Sequence, residues 1–400
     1  MTRRRAGAAT RGTKVRTRAI GGAVSGAVAA VGAAAVQSTG ARAETPESVE
    51  PEALVVTLCF DSGEGSDPYS ATIRLTGRRA GIRGMPKAQD TFTHEETVDG
   101  IVPGTGPLSI TSWVYGLQPG EWTVSGELIR REAVPGGARP SSRWKRPSSL
   151  PLHPAAWSWR RWRLSAGQAA TLRTRWAMAA PLARIPAVIP GIWPALSALG
   201  ALVALGVLMA ILAHEREPVG RSLAVSLIAV GAGLIGAKAW YAVLHPGPWR
   251  QWIGGWAVDG FLAVALITTV AGLLAFNLPM GVFLDASAPG LFFGVAIGRL
   301  GCFFTGCCAG RCTRSRWGVW SSDRRVGARR IPTQLLESAT GLLIGIASAL
   351  LVLDHAPTGP GLIFVAAFGT YIAVRQFLLR LRAEPRKYSW RRSLMSRATA

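Results

Sequence analysis

The stretch Gly294-Val-Ala-Ile-Gly-Arg299-Leu-Gly-Cys302-Phe-Phe-Thr-Gly-Cys307-Cys308-Ala-Gly310-Arg311-Cys312 decides how the rest of the chain is read. It starts as the end of an apolar segment, yet Arg299 stands where hydrocarbon should be. An arginine at membrane depth costs about 2.5–3.5 kcal/mol on the insertion scale, so it requires a partner or a task. Glycines at 294, 298, 301, 306 and 310 allow a backbone or a ligand to come close. Four of the five cysteines of the chain fall in this one segment.

Working outward, 49% of the 400 residues are hydrophobic and several apolar runs approach the length of a bilayer crossing. The net charge of +23 would suggest nucleic acid in a soluble protein, but here arginines flank apolar runs. That pattern selects a membrane surface and excludes nucleic acid as the partner. Five cysteines with four clustered do not match a secreted disulfide scaffold.

Six spans are expected, at about 189–213, 222–245, 259–277, 287–305, 334–353 and 360–379. They define an all-α polytopic membrane domain over 179–380, followed by a basic tail, 381–400. Residues 1–43 read as an export signal: Arg3, Arg4, Arg5, Arg11, Lys14, Arg16 and Arg18 precede an Ala/Gly/Val-rich run, and Ala41-Arg42-Ala43 ends it. From 44 to 178 the pattern changes to short alternating strands, at Ala53–Phe60, Ser70–Gly77, Leu108–Leu117 and Glu121–Arg131. They predict a small exported all-β sandwich carrying Cys59 as a plain buried thiol. The juxtamembrane run Trp157-Ser-Trp159-Arg-Arg-Trp162-Arg163 suits a lipid headgroup layer.

The two ends of the chain make conflicting demands on topology. An exported sandwich followed by six spans puts the C-terminus outside, whereas Arg380, Arg382, Arg386, Lys387, Arg391, Arg392 and Arg397 place it inside by the positive-inside rule. A seventh span within 176–200, or a re-entrant segment, would reconcile them.

Polar residues interrupt the apolar runs. Lys238 lies in the second span, Asp259 opens the third, Arg299 closes the fourth, and Gln334 and Glu337 open the fifth on one helix face. Pro332 fits the first helical turn and leaves Arg330 on the entering loop. A structural account pairs Arg299 with Glu337 and lets Lys238 snorkel. A functional account makes Arg299 and Arg330 forks for the phosphate of an anionic lipid. Cys302, Cys307, Cys308 and Cys312 form a possible thiol site; the paired knuckles of a zinc site are absent, so no metal is expected. Disulfides from Cys302 or Cys307 to Cys312 are a further option, and so is tight packing at a helix end.

These residues resemble the bacterial prolipoprotein diacylglyceryl transferase family. Gly298-Arg-Leu-Gly-Cys-Phe-Phe-Thr-Gly-Cys307 aligns without gaps with its Gly-Arg-Ile-Gly-Asn-Phe-Ile-Asn-Gly-Glu signature. Arg330-Ile-Pro-Thr-Gln-Leu-Leu-Glu337 is similar to its Arg-His-Pro-Ser/Thr-Gln-Leu-Tyr-Glu. Asp285, Ala288 and Pro289 resemble its entry to the fourth span, and Gly236-Ala-Lys-Ala-Trp-Tyr241 resembles another of its spans. Tyr371, Arg375 and Arg382-Ala-Glu-Pro-Arg386 look like its ending, so the resemblance covers about 190–386.

The resemblance implies transfer of a diacylglyceryl group from phosphatidylglycerol to the lipobox cysteine of exported prolipoproteins, in the bacterial plasma membrane and without a cofactor. Arg299 and Arg330 would hold phosphate, Glu337 and Gln334 would orient them, and Asp259 would serve as base. Lys238 and Tyr241 would bind substrate. The chain departs from the family at Asp259-Gly260-Phe261 (His-Gly-Gly there), at Cys302 and Thr305 (both Asn) and at Cys307 (Glu). Two other functions fit the same residues: a non-enzymatic binder of anionic lipid or lipoprotein precursors, and a membrane thiol redox protein.

Overall fold

The computed structural model describes residues 52–133, 150–168, 171–177, 179–245, 256–354 and 359–383. The expected export signal and the tail beyond Ala383 lie outside the described residues.

Strands β1 (Glu52–Asp61), β2 (Tyr69–Arg79), β3 (Thr91–Ile101), β4 (Pro107–Tyr115) and β5 (Glu121–Ala133) build most of the N-terminal domain. The alternating residues of β1 and β2 bury Leu54, Val56, Leu58, Ala71, Ile73 and Leu75 on one face, which is what a period of two produces. Trp122 is fully buried in that core, and its indole N–H donates to the Gln118 carbonyl. Strand β6 (Leu150–Ser158) pairs with both β1 and β5 and so joins the two halves of the antiparallel sheet. A Cβ at Gly126 on β5 would meet the Leu58 side chain of β1 and that of Leu75, so the halves pack face to face. The sequence pattern locates β1, β2, β4 and β5; it misses β3, whose exposed alternate positions are Thr91, Thr93, Glu95 and Thr97. Cys59 is buried, its thiol donating to the carbonyls of Pro154 and Ser165, and burial pushes its pKa up.

Among the described residues six helices follow: α1 (Ile192–His214), α2 (Val219–Leu244), α3 (Val258–Ala275), α4 (Met280–Thr305), α5 (Thr333–Leu353) and α6 (Leu362–Leu378). Among the described residues five stretches are long and apolar enough to cross a membrane, and α3 is a shorter apolar helix. Residues 179–191, where a seventh span was one option, are turns and a short 3-10 segment. Helix α4 starts seven residues before the expected 287, because Pro289 is accommodated inside the helix.

Small residues set the helix contacts. Gly200 and Ala204 of α1 lie against Gly294 and Gly290 of α4, backbone to backbone, so the two helices run antiparallel. Gly341 and Gly345 of α5 meet α4 in the same way near Phe292 and Phe293. Gly233, Gly236 and Gly260 join α2 to α3 as a second unit. The buried Asp285 of α4 accepts the N–H groups of Gly361 (2.7 Å) and Phe364 (2.9 Å), satisfying the open end of α6 with a carboxylate.

The α4–α5 connection stitches the domains together. Its hairpin, β8 (Val319–Ser322) and β9 (Val326–Arg330), extends the sandwich sheet by pairing β9 with β4 at Ile110 and Ser109. Arg314 donates to the carbonyls of Pro103, Gly65 and Ser66, and Arg325 pairs with Glu96 at 2.6 Å. Trp162, between β6 and β7 (Arg163–Ala166), stacks on Phe303 of α4 and donates to the Trp320 carbonyl. The start of α1 and the end of α6 both lie at the end of α4 that meets the sandwich: Ile189 N–H donates to Phe304, Arg311 N–H to Leu381 and Ala383 N–H to Ala309.

Candidate active site

The end of α4 carries Arg299 about two turns before its glycine cap at Gly306, whose φ of +73° suits the absence of a Cβ. The start of α5 carries Glu337 about one turn in from Thr333, and antiparallel packing brings the two side chains together. Arg299 Nε lies 2.7 Å from Glu337 Oε2. Two residues from the chain end join them: Arg382 Nη2 donates to Glu337 Oε1 at 2.5 Å, and Arg375 Nη1 lies 3.5 Å from Oε2. Glu337 is 1% exposed, the most deeply buried charge in the bundle among the described residues. Tyr371 of α6 is within 3.4 Å of Arg375 Nη1.

Among the described residues, one carboxylate against three guanidinium groups leaves a surplus of two positive charges in a mostly buried place. Arg382 is itself 8% exposed, and its Nε is buried without an acceptor among the described residues. A cluster of this kind favours an anion with several oxygens, and guanidinium forks match phosphate geometry.

Arg330 belongs to the adjoining loop. Its Nη2 donates to Asp323 Oδ2 (2.7 Å) and to the Val326 carbonyl, and its Nη1 to the Gly310 carbonyl. Its Nε is also buried without an acceptor among the described residues. Gly310 lies between the two arginines, bridging to Arg382 on one side and accepting from Arg330 on the other. Gln334 turns its amide to the Cys307 carbonyl (2.8 Å), and Thr333 donates to the Cys308 carbonyl, so the first turn of α5 clamps the cysteine turn.

The four clustered thiols separate into two environments. Arg299 Nη1 approaches the Cys302 sulfur at 3.9 Å, and the Cys307 thiol donates to the Cys302 carbonyl at 3.7 Å. Cys312 instead packs against the sandwich core and bridges to Arg330. All five cysteines are free thiols, and among the described residues no group of His, Cys, Asp or Glu is arranged to hold a metal.

Asp259, Lys238 and Tyr241 sit on the α2–α3 unit. Asp259 is exposed in the first turn of α3, Lys238 Nζ lies 4.2 Å over the Trp256 ring, and Tyr241 stacks on His245. No hydrogen bond or ion pair among the described residues links Asp259 to Glu337. The residues that sequence reasoning left out of the site are Arg375 and Arg382. Arg375 carried a signal, a cation in the last turn of an apolar helix four residues after Tyr371; Arg382 reads as one more charge of a basic tail.

These features define a polytopic membrane protein with a buried arginine–carboxylate centre beneath an extramembrane β domain. The model of the prolipoprotein diacylglyceryl transferase family matches residues 191–398, more than half of the chain, and the chain belongs to that family. Among similar proteins, a Rhodococcus jostii phosphatidylglycerol–prolipoprotein diacylglyceryl transferase is 29% identical over 181 residues, 40% of this chain and 50% of the relative. A Streptomyces coelicolor protein so named is 30% identical over 197 residues, 43% of this chain and 62% of the relative. A Mycobacterium tuberculosis protein of that name is 28% identical over 170 residues, 35% of this chain and 36% of the relative. The chain thus spans about half the length of these relatives, and the sandwich lies outside the matched region.

Proposed function

We propose that this protein transfers the diacylglyceryl group of phosphatidylglycerol to the lipobox thiol of prolipoproteins. A bond from sulfur to glyceryl carbon forms, the carbon–oxygen bond to phosphate breaks, and glycerol phosphate leaves with the electron pair. Family membership supports the reaction, and the observation that carries it is the surplus of two positive charges around Glu337. Arg299, Arg375 and Arg382 would hold the lipid phosphate and balance the charge that grows on the leaving group. Glu337 would orient the three forks. Arg330 would act through the loop, holding Gly310 and Asp323, with its Nε as a further donor.

The acceptor thiol reacts as thiolate, and Asp259 is the base we assign to it, with Lys238 and Tyr241 facing the lipid from the same helix pair. Acyl tails would stay in the bilayer beside α4 and α6. We place the protein in the plasma membrane with the sandwich on the exported face, where prolipoproteins emerge. Binding without transfer is the second reading, favoured by Asp259, Cys302 and Cys307 at the family's His, Asn and Glu positions.

The test mixes purified protein in phosphatidylglycerol liposomes with a lipobox peptide and follows the diacylglyceryl adduct by mass spectrometry. An adduct is expected, absent with a Cys→Ser peptide and with Arg299→Ala protein. No adduct, while a family transferase run alongside produces one, refutes transfer and leaves lipid binding.

A further inference from the structure

We infer that Cys302 and Cys307 form a reversible dithiol–disulfide pair beside the arginine cluster, oxidised by a small-molecule disulfide. The inference stands apart from the transfer reaction, since it concerns positions where the chain departs from its family.

The geometry is local and specific. Cys307 N–H donates to the Cys302 carbonyl at 3.1 Å as part of the helix cap, and the Cys307 thiol donates to the same carbonyl at 3.7 Å. That backbone bond keeps the two residues adjacent, as a disulfide demands with its Cα atoms about 4.4–6.8 Å apart. Arg299 Nη1, 3.9 Å from Cys302 Sγ, balances negative charge developing on sulfur during exchange. The Cys307 and Cys308 carbonyls are pinned by Gln334 and Thr333, so the turn is held in place from α5.

Neighbouring pairings are disfavoured. Cys307 and Cys308 are consecutive, and Cys308 already occupies a left-handed conformation with φ of +55°. Cys312 is committed to the sandwich core. Among the described residues Cys307 donates to the Cys302 carbonyl through both its N–H and its thiol, so the bond is assigned to that pair and Cys308 is left as the free thiol.

The exchange balances as follows. The half-buried Cys307 loses its proton to solvent as it attacks one sulfur of a disulfide R–S–S–R, forming a mixed disulfide and expelling R–S⁻, which takes a proton back from solvent. Cys302, 7% exposed and so closed to large reagents, attacks the Cys307 sulfur and expels the second R–S⁻. Two protein thiols are oxidised and one external disulfide is reduced to two thiols.

The test uses the full-length protein in native membranes, equilibrated across ratios of reduced to oxidised glutathione. Samples are quenched in acid, denatured, alkylated and digested, and sites are assigned by tandem mass spectrometry. The expected product is a peptide that has lost two hydrogens between Cys302 and Cys307, carries alkylated Cys308, and returns to three alkylated thiols under excess reduced glutathione. Cys308→Ser should retain the bond, and Cys302→Ser should stop at a glutathione adduct on Cys307. Five alkylated thiols at every ratio, or a bond from Cys302 to Cys308 or Cys312, would overturn the inference. The wild-type protein carries the deciding readout, so a variant that fails to fold does not blunt the test.

Discussion

Glu337→Gln keeps the shape of the side chain and removes its charge, leaving three arginines to face one another. Two partners set the magnitude. The side chains of Arg382 and Arg299 are 8% and 16% exposed, at 2.5 and 2.7 Å from the carboxylate. Removing one member of a buried ion pair costs about 3–5 kcal/mol, because the charge left behind has no partner. The side chain of Arg375 is 32% exposed, at 3.5 Å, and screening holds its share to about 1 kcal/mol or less.

The expected loss is therefore about 3–5 kcal/mol, read as a fall in the denaturation midpoint of detergent-solubilised protein in a zwitterionic background. Adding Arg382→Leu to Glu337→Gln should recover part of it, with a coupling of about 0.5–3 kcal/mol between the two changes. An anionic phospholipid that occupies the cluster at a hundred times its Kd should restore about 2.7 kcal/mol by mass action. A Glu337→Gln protein as stable as the wild type, or a double variant whose losses simply add, would refute the claim that this carboxylate neutralises a buried cationic centre.

Two further outcomes follow from the packing. Asp285→Ala leaves the N–H groups of Gly361 and Phe364 without their acceptor, and loss of such a helix cap costs about 0.5–2 kcal/mol, measurable as earlier proteolysis or exchange at the start of α6. Gly310→Val would set a side chain on the Ile331 carbonyl, so cross-linking between engineered cysteines at 311 and 381 should fall, whereas Gly298→Ala, where a Cβ meets nothing within 4 Å, should leave it unchanged.

Much of this architecture is legible because its signals are local. Period-two burial marks β1 and β2, apolar length marks α1, α2, α5 and α6, and Arg299 in an apolar run announces an ion pair before its partner is known. The Gly298–Cys307 and Arg330–Glu337 motifs place the family on residues that are contiguous in sequence. What escaped is non-local. Read by charge counting alone, Arg382 points the tail to the opposite side of the membrane from the sandwich. Its guanidinium is instead bound to Glu337, so here it reports an internal ion cluster. Arg314 and Arg325 likewise spend their charge on the sandwich.

The sequence by itself determined an apolar multi-span bundle behind a β domain and the family, since each depends on composition or spacing along one stretch, and it offered the pairing of Arg299 with Glu337 as one of two accounts. Only the tertiary structure decided which arginines surround Glu337, which loop Arg330 serves, and how four neighbouring cysteines divide between the helix end and the sandwich core. The physical reason is that a buried charge is partnered by whatever antiparallel helix packing delivers to it. That delivery joins residues 45 positions apart through glycine contacts and a shared sheet edge, which no local periodicity records.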